Sequence, residues 1–461
     1  MRKRNKLFYP FASINSTIRM ELADKICDYA SQQHTIKQDS IEEIKKRIAD
    51  SIFVAHTARN AKPIMISKAE LLPSSGKYNS RIYFSKNRAS ADVAAFINGS
   101  MTRYMDYNDT YLSKEAIHPS DNIAPMFSIS DAVGSSGKDT IKAIWLSYQI
   151  ACSLADAGSV RDRGWDHVVY ISISAAAGLA KLLGLNSDKF KNALALAINN
   201  SVSMRQTRVG KLSMWKGCTV GDAARGSVFA AILAKGGLTG PSPIFEGDMG
   251  FFKQVSGKLD VTFAKEMVPL TMVKAYPVEY HAMSGVEAAL SLKKQLNGKI
   301  ERINVETFKV GYDIIVKGPE KLKPQNKETA DHSLPYIIAY SLIYGQPTYN
   351  SYSEKFLKDK RILYLIGRMS IKTSKRFDSM YPKYTPIKIS VKTGNGYISE
   401  EVKVQKGHPE NPFTWDDIKA KGMACIGDES IVGEIIKIAK SFEKRDASDM
   451  LEAISNVDTK R

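Results

Sequence analysis

Apolar residues recur at intervals of three and four along most of the first 268 residues, the spacing of helices with one face turned to a core. Val93, Phe96, Ile97, Met101 and Tyr104 draw one such face, so a buried helix is predicted to end just before Asp106. "GKDTIKAIWLSYQIACSLADA" predicts a core helix that starts at an Asp139 cap and carries Ile141, Ile144, Trp145, Tyr148, Ala151 and Cys152 inward. "ISISAAAGLAKLLGLNSDKFKNALALAINNS" predicts two helices, the first closed at Gly184 and the second opened by Ser187. "GDAARGSVFAAILAKGGLTGPSP" predicts another, stopped at Gly236, Gly237 and Pro241.

After Pro277 the pattern changes. A helix over "SGVEAALSLKKQL" precedes alternating segments, "IERINVETF" and "PIKISVKTGNGYISEEVKV", in which Gly394, Asn395 and Gly396 are expected to supply the positive φ angles of a hairpin. "ETADHSLPYIIAYSLIYG" and "SEKFLKDKRILYLIGRM" add helices, and a Thr414–Asp417 capping box opens a helical end to the chain. The expected class is mainly α. A helical domain over 1–268 is followed by a smaller α+β domain over 269–409 and by closing helices over 410–461, which could return to the first domain.

Composition narrows the class further. With 461 residues, 43% hydrophobic and 25% charged, the chain is a globular protein with room for two cores. No window approaches the roughly 18 uninterrupted apolar residues of a membrane span, and "MRKRNKLFYPFAS" lacks the apolar segment of a secretory signal. A cytoplasmic location without membrane contact is expected. The net charge of +18 is spread along the whole chain rather than gathered in a stripe, so a solvated basic surface or small polyanionic substrates explain it better than nucleic acid. Cys27, Cys152, Cys218 and Cys425 lie too far apart for a zinc or iron–sulfur pair and are expected to be buried hydrophobes.

Several polar clusters stand at loop-to-helix junctions. "RYMDYNDTYLSKEAIHPSDNI" holds four carboxylates with His118, and Asp106, Asp109 and Ser120 are competent helix caps. "RDRGWDHVVY" holds Asp166 and His167. "SMRQTRVGKLSMWKGCTVGDAARG" carries Arg205, Arg208, Lys211, Lys216 and Arg225, of which Lys216 looks inward. "VKAYPVEYHAMSG" offers Lys274, Glu279 and His281, and "ETADHSLPY" offers Asp331, His332 and Tyr336. Singly each reads as structural; together they are too many acid–base groups to dismiss. His118 lies beyond a loop with no second ligand pair at helical spacing, so no metal cage is expected around the first cluster.

Four segments, "MTRYMDYNDTYLSKEAIHPSDNI", "RGWDHVVYISISAAAGLAKLLGL", "MRQTRVGKLSMWKGCTVGDAARGSVFAAILAKGGLTGP" and "YPVEYHAMSGVEAAL", together resemble the MmgE/PrpD family, and within it the branch that dehydrates 2-methylcitrate. The likeness runs in order from about residue 85 to 420; the first forty residues and "SIFVAHTARNAKP" depart from it. The resemblance implies a helical domain built from both chain ends, an inserted α+β lid, a homodimer, and an active site between domain and lid that works on a tricarboxylate without metal or organic cofactor. The family's site positions fall on Asp106, Thr110, His118, His167, Lys216, Lys274 and Tyr336. Where the family's cis-aconitate decarboxylases resemble one another in a histidine two residues after the proline, this chain has Glu279, which argues against that decarboxylation.

The chemistry asks for the same residue types. Removing a weakly acidic C–H beside a carboxylate puts further charge on an anion, which cations such as Lys216 and Lys274 stabilise best in a closed cleft. Arg205 and Arg208 fit a second carboxylate in a two-point fork. His118 and His167 are expected to divide the base and acid roles, with Asp106 orienting or balancing them, Thr110 bonding substrate and Tyr336 entering from the lid. Other anionic acids on the same scaffold, or a non-enzymatic basic nucleic-acid-binding protein, are the competing readings.

Overall fold

The computed structural model describes residues 20–210, 212–455 and 457; the basic start MRKRNK and Lys211 lie outside the described residues. The chain is mainly helical and gathers around two hydrophobic cores. The first core draws on residues from Leu22 to Val273 and again from Phe413 to Val457, so the two ends of the chain share it. The second holds Met272, Leu112 and side chains from Val278 to Val391. No helix among the described residues is long and apolar enough to cross a membrane.

The helix Ala91–Tyr104 lies at the centre of the first core. Its sequence shows one apolar stripe, yet Ala94, Ala95, Asn98, Gly99, Ser100 and Thr102 are buried as well, because small residues let helices close in on its other sides. It crosses Thr219–Gly236 at Gly221, where an added methyl would run into the backbone of Phe96. Val168–Leu182, with its run of alanines, packs beside Thr219–Gly236 in the same way.

Helix starts differ from expectation by a residue or more. Ser136, not Asp139, caps Gly137–Ala157: its hydroxyl accepts the Asp139 N–H at 3.1 Å. Asn186, not Ser187, caps Ser187–Asn200. The Thr414–Asp417 capping box is present at Trp415–Ile426.

In the second core the helix Met283–Gln295 lies on a four-stranded sheet ordered Met369–Thr373, Ile300–Thr307, Ile387–Thr393, Gly396–Val402, and the helix Leu334–Tyr344 packs on Met283–Gln295. Ile387, Ile389 and Val391 face the core while Lys388, Ser390 and Lys392 face outward, the alternation of a strand buried on one side. The hairpin between the last two strands uses positive φ only at Gly396 (111°), not at Gly394 or Asn395. Met369–Thr373, which the sequence pattern assigns to no strand, pairs parallel to Ile300–Thr307 at the sheet edge.

The loop after Asp106 ties the cores together. Thr110 and Met272 exchange backbone hydrogen bonds at 2.8 Å in both directions, and Leu112 continues into the second core. The groups at the end of the buried helix therefore face groups carried by the second core.

Candidate active site

The buried helix ends at Tyr104, and Asp106 takes φ of 51°, a left-handed conformation that aspartate tolerates better than most residues. Its Oδ1 accepts hydrogen bonds from Arg103 Nη1 at 2.7 Å and Lys274 Nζ at 2.6 Å, and Lys274 Nζ also donates to the Asp106 carbonyl at 2.8 Å. Lys216 Nζ and His332 Nε2 lie 4.0 and 3.5 Å from Oδ2. Burial opposes the charge on Asp106, but Arg103, Lys274 and Lys216 around it hold the carboxyl well below the usual carboxylate range. It is an ionised hub among cations.

His118 and His332 lie beside this hub and His167 lies beside His118, in different states of engagement. His118 Nδ1 lies 2.6 Å from the Asp109 carbonyl, an acceptor, so that nitrogen carries the proton; Nε2 then accepts from Arg103 Nη2 at 2.9 Å. Both its nitrogens are in use. His167 Nδ1 lies 2.8 Å from Asp166 Oδ1, and its Nε2 is buried without a partner. His332 Nδ1 lies 2.5 Å from Asp331 Oδ1 and 3.3 Å from Lys216 Nζ. Burial pushes all three imidazoles below their ordinary value, and the neighbouring cations, Arg103 beside His118, Arg208 beside His167 and Lys216 beside His332, push the same way. They are held neutral.

Lys216 is pushed down to about 8, by burial first and by Lys327 and Arg103 next, against the pull of Asp331 and Asp106. Asp166 is held well below the carboxylate range despite its burial, because Arg208 Nε donates to both its oxygens at 3.0 and 2.9 Å and His167 adds a third bond. Arg208 is thus tied to Asp166. Arg205 reaches the same cavity with no side-chain partner among the described residues.

These groups line one cavity of about 350 Å³, within the range of small-ligand sites. Eight of the nine sequence-predicted residues reach it: Asp106, Thr110, His118, His167, Arg205, Arg208, Lys216 and Lys274. The Thr110 hydroxyl donates to the Ile117 carbonyl at 3.0 Å. Tyr336 does not reach the cavity. It is 1% exposed in the second core, and its hydroxyl donates to the Ser351 carbonyl at 2.6 Å.

The sequence left Arg103, the Asp331–His332 pair and the Glu279–His281 pair without roles, although all but Asp331 line the cavity. A carboxylate adjacent to a histidine, or one residue removed, was the available signal. Asp106, Asp331 and His332 place ligand atoms within 4.8 Å of one another and are, among the described residues, the group that could hold a metal ion. Asp331 is 225 positions from Asp106, so local spacing could not show this set. The Asp106 carboxylate already receives Arg103 and Lys274, and the Asp331 carboxylate receives Lys327, which makes this a crowded place for a divalent cation.

A family model for the MmgE/PrpD N-terminal domain matches residues 20–264 and one for the C-terminal domain matches 276–441, so the likeness begins well before residue 85. The chain is 31% identical over 296 residues to the 2-methylcitrate dehydratase of Escherichia coli (strain K12), covering 58% of this chain and 60% of that one. It is 29% identical over 339 residues to the mitochondrial 2-methylcitrate dehydratase of Yarrowia lipolytica, with 67% and 64% covered. For the 2-methylcitrate dehydratase of Cupriavidus necator the values are 30% over 345 residues, with 68% and 69% covered. The chain thus spans about three fifths of the length of the first of these relatives.

Proposed function

Since the chain belongs to the MmgE/PrpD family, we propose that it is a hydro-lyase that dehydrates 2-methylcitrate to 2-methyl-cis-aconitate, as the names of its relatives suggest. The observation that carries this reading is the unpartnered Nε2 of His167 in a cavity whose floor is a carboxylate ringed by cations.

In this reading His167 is the base. Asp166 fixes the proton on Nδ1, which leaves Nε2 as an unpartnered lone pair, and burial first and the cations Arg208 and Arg103 next keep the ring neutral and ready to accept. His118 cannot offer Nε2 without releasing Arg103, so it serves to orient that guanidinium toward a substrate carboxylate. As the C–H proton leaves, negative charge grows on the adjacent carboxylate. Lys216 and Lys274, buried and fixed before substrate arrives, stabilise it more than solvated ammoniums would. Arg205 receives a further carboxylate, and Arg208 acts through Asp166 rather than on substrate. The second core forms the lid over this site, the protein works as a homodimer in the cytoplasm, and the reaction belongs to propionate breakdown through the methylcitrate cycle.

The test is to follow the conjugated alkene by ultraviolet absorbance with chelator-treated protein and 2-methylcitrate, and citrate in parallel. A rise with 2-methylcitrate supports the reading. Activity lost to chelator and restored by a divalent metal would instead assign Asp106, Asp331 and His332 to a metal.

A further inference from the structure

Elimination moves two protons, and His167 accounts for one. The cavity holds a second histidine whose Nε2 is buried without a partner: His281, on the short turn Tyr280–Ala282 of the second core. Glu279 holds it at two points. Its Oε2 accepts the His281 backbone N–H at 2.8 Å, and its Oε1 lies 2.7 Å from Nδ1, so Nδ1 carries a proton and Nε2 is the nitrogen left without a partner on a residue that lines the cavity.

The two carboxylate–histidine pairs differ in charge balance. Asp166 is already neutralised by Arg208, so a proton resting on His167 would add to a cationic surrounding. Glu279 takes its side-chain hydrogen bonds from His281 alone among the described residues, so a proton on His281 completes a neutral pair. The rings of Phe308 and Tyr381, 5.4 and 5.7 Å away, flank the imidazole and limit the water that could drain that proton.

We propose that His281, held by Glu279, is the acid that protonates the departing hydroxyl. This rests on the dehydration proposed above. The C–H proton passes to His167 Nε2 and its electron pair becomes the new π bond. The C–O pair leaves with the oxygen, which takes the proton from His281 Nε2 and departs as water. His167 then gives up its proton and His281 regains one when product leaves.

The test compares 2-methylcitrate with its analogue bearing fluorine in place of the hydroxyl, because fluoride leaves with little need of a proton. His281→Asn is expected to lower kcat on 2-methylcitrate by about 100-fold or more while staying within about threefold of the unaltered protein on the fluoro analogue. Glu279→Gln should follow it in the same direction, whereas His167→Asn should lose both reactions, since both require the C–H proton to be removed. Retained binding of propane-1,2,3-tricarboxylate shows that each variant keeps its site. Equal losses on the two compounds, or none, with His281→Asn overturn the acid role and leave the dehydration standing. An unaltered protein inert toward both compounds overturns the dehydration and this proposal with it.

Discussion

Lys274 Nζ lies 2.6 Å from Asp106 Oδ1 and 2.8 Å from the Asp106 carbonyl, although 168 positions separate the two residues. One ammonium thus satisfies both the carboxylate and the strained backbone turn that presents it, and it does so from the segment leading into the second core. Substituting Lys274→Met leaves a buried carboxylate with one cation fewer. Breaking such a pair costs about 3 kcal/mol or more. Urea denaturation should show that loss together with collapsed turnover; a variant as stable as the parent would mean that Arg103 and Lys216 suffice to hold Asp106.

Lys216 gives the pH dependence two opposite signs. Its ammonium is lost as pH rises through about 8, so the alkaline side of the kcat/KM profile should fall there. Its folded value is depressed, so between about 8 and the ordinary lysine value the unfolded chain binds more protons, and the stability contributed by this group rises with pH. The difference in stability between the parent and Lys216→Met across that window isolates the effect. An alkaline limb that survives in Lys216→Met would assign it to another group.

His118 is predicted to act on binding. With Nδ1 donating to the Asp109 carbonyl and Nε2 accepting from Arg103, it positions a guanidinium. His118→Asn should raise KM about tenfold and change kcat much less, the signature of an interaction made equally with substrate and transition state. A fall in kcat of about 100-fold at unchanged KM would make it the base instead.

Helical periodicity and the clustering of polar groups at helix ends are written in neighbouring positions, so local pattern marked the main helices and the polar segments; the choice of Asp106, Thr110, His118, His167, Lys216 and Lys274 within them came with the family resemblance, and these six line one cavity with Arg205 and Arg208. What escaped is what distance along the chain conceals. Asp331 and His332 reach Asp106 only after the second core folds, and whether an imidazole nitrogen is free, as in His167 and His281, or used, as in His118, depends on partners no spacing rule names. The strand Met369–Thr373 was hidden because only one side of it pairs, and its inward residues are half-buried. Cap positions shifted for a simpler reason: Ser136 and Asp139 are both good caps, and the chain uses the earlier one.

Tyr336 is where the family resemblance and the geometry part, and its substitution separates them. The resemblance carries a site position onto Tyr336, yet the ring is buried among second-core side chains, stacked against Tyr340 with ring centroids 6.4 Å apart, and absent from the cavity wall. Its hydroxyl is committed to the Ser351 carbonyl in the turn Tyr349–Tyr352. Tyr336→Phe therefore removes one buried hydrogen bond and orphans a carbonyl, a loss of about 1–3 kcal/mol in stability. Nothing that touches substrate changes, so kcat and KM should both stay within about threefold. Thermal unfolding and steady-state kinetics on the same preparation check the two halves of this expectation. A loss of kcat without a loss of stability would mean that the second core moves during turnover far enough to bring the phenol to the cavity, and that core would then be a working part of the catalytic cycle rather than a fixed wall.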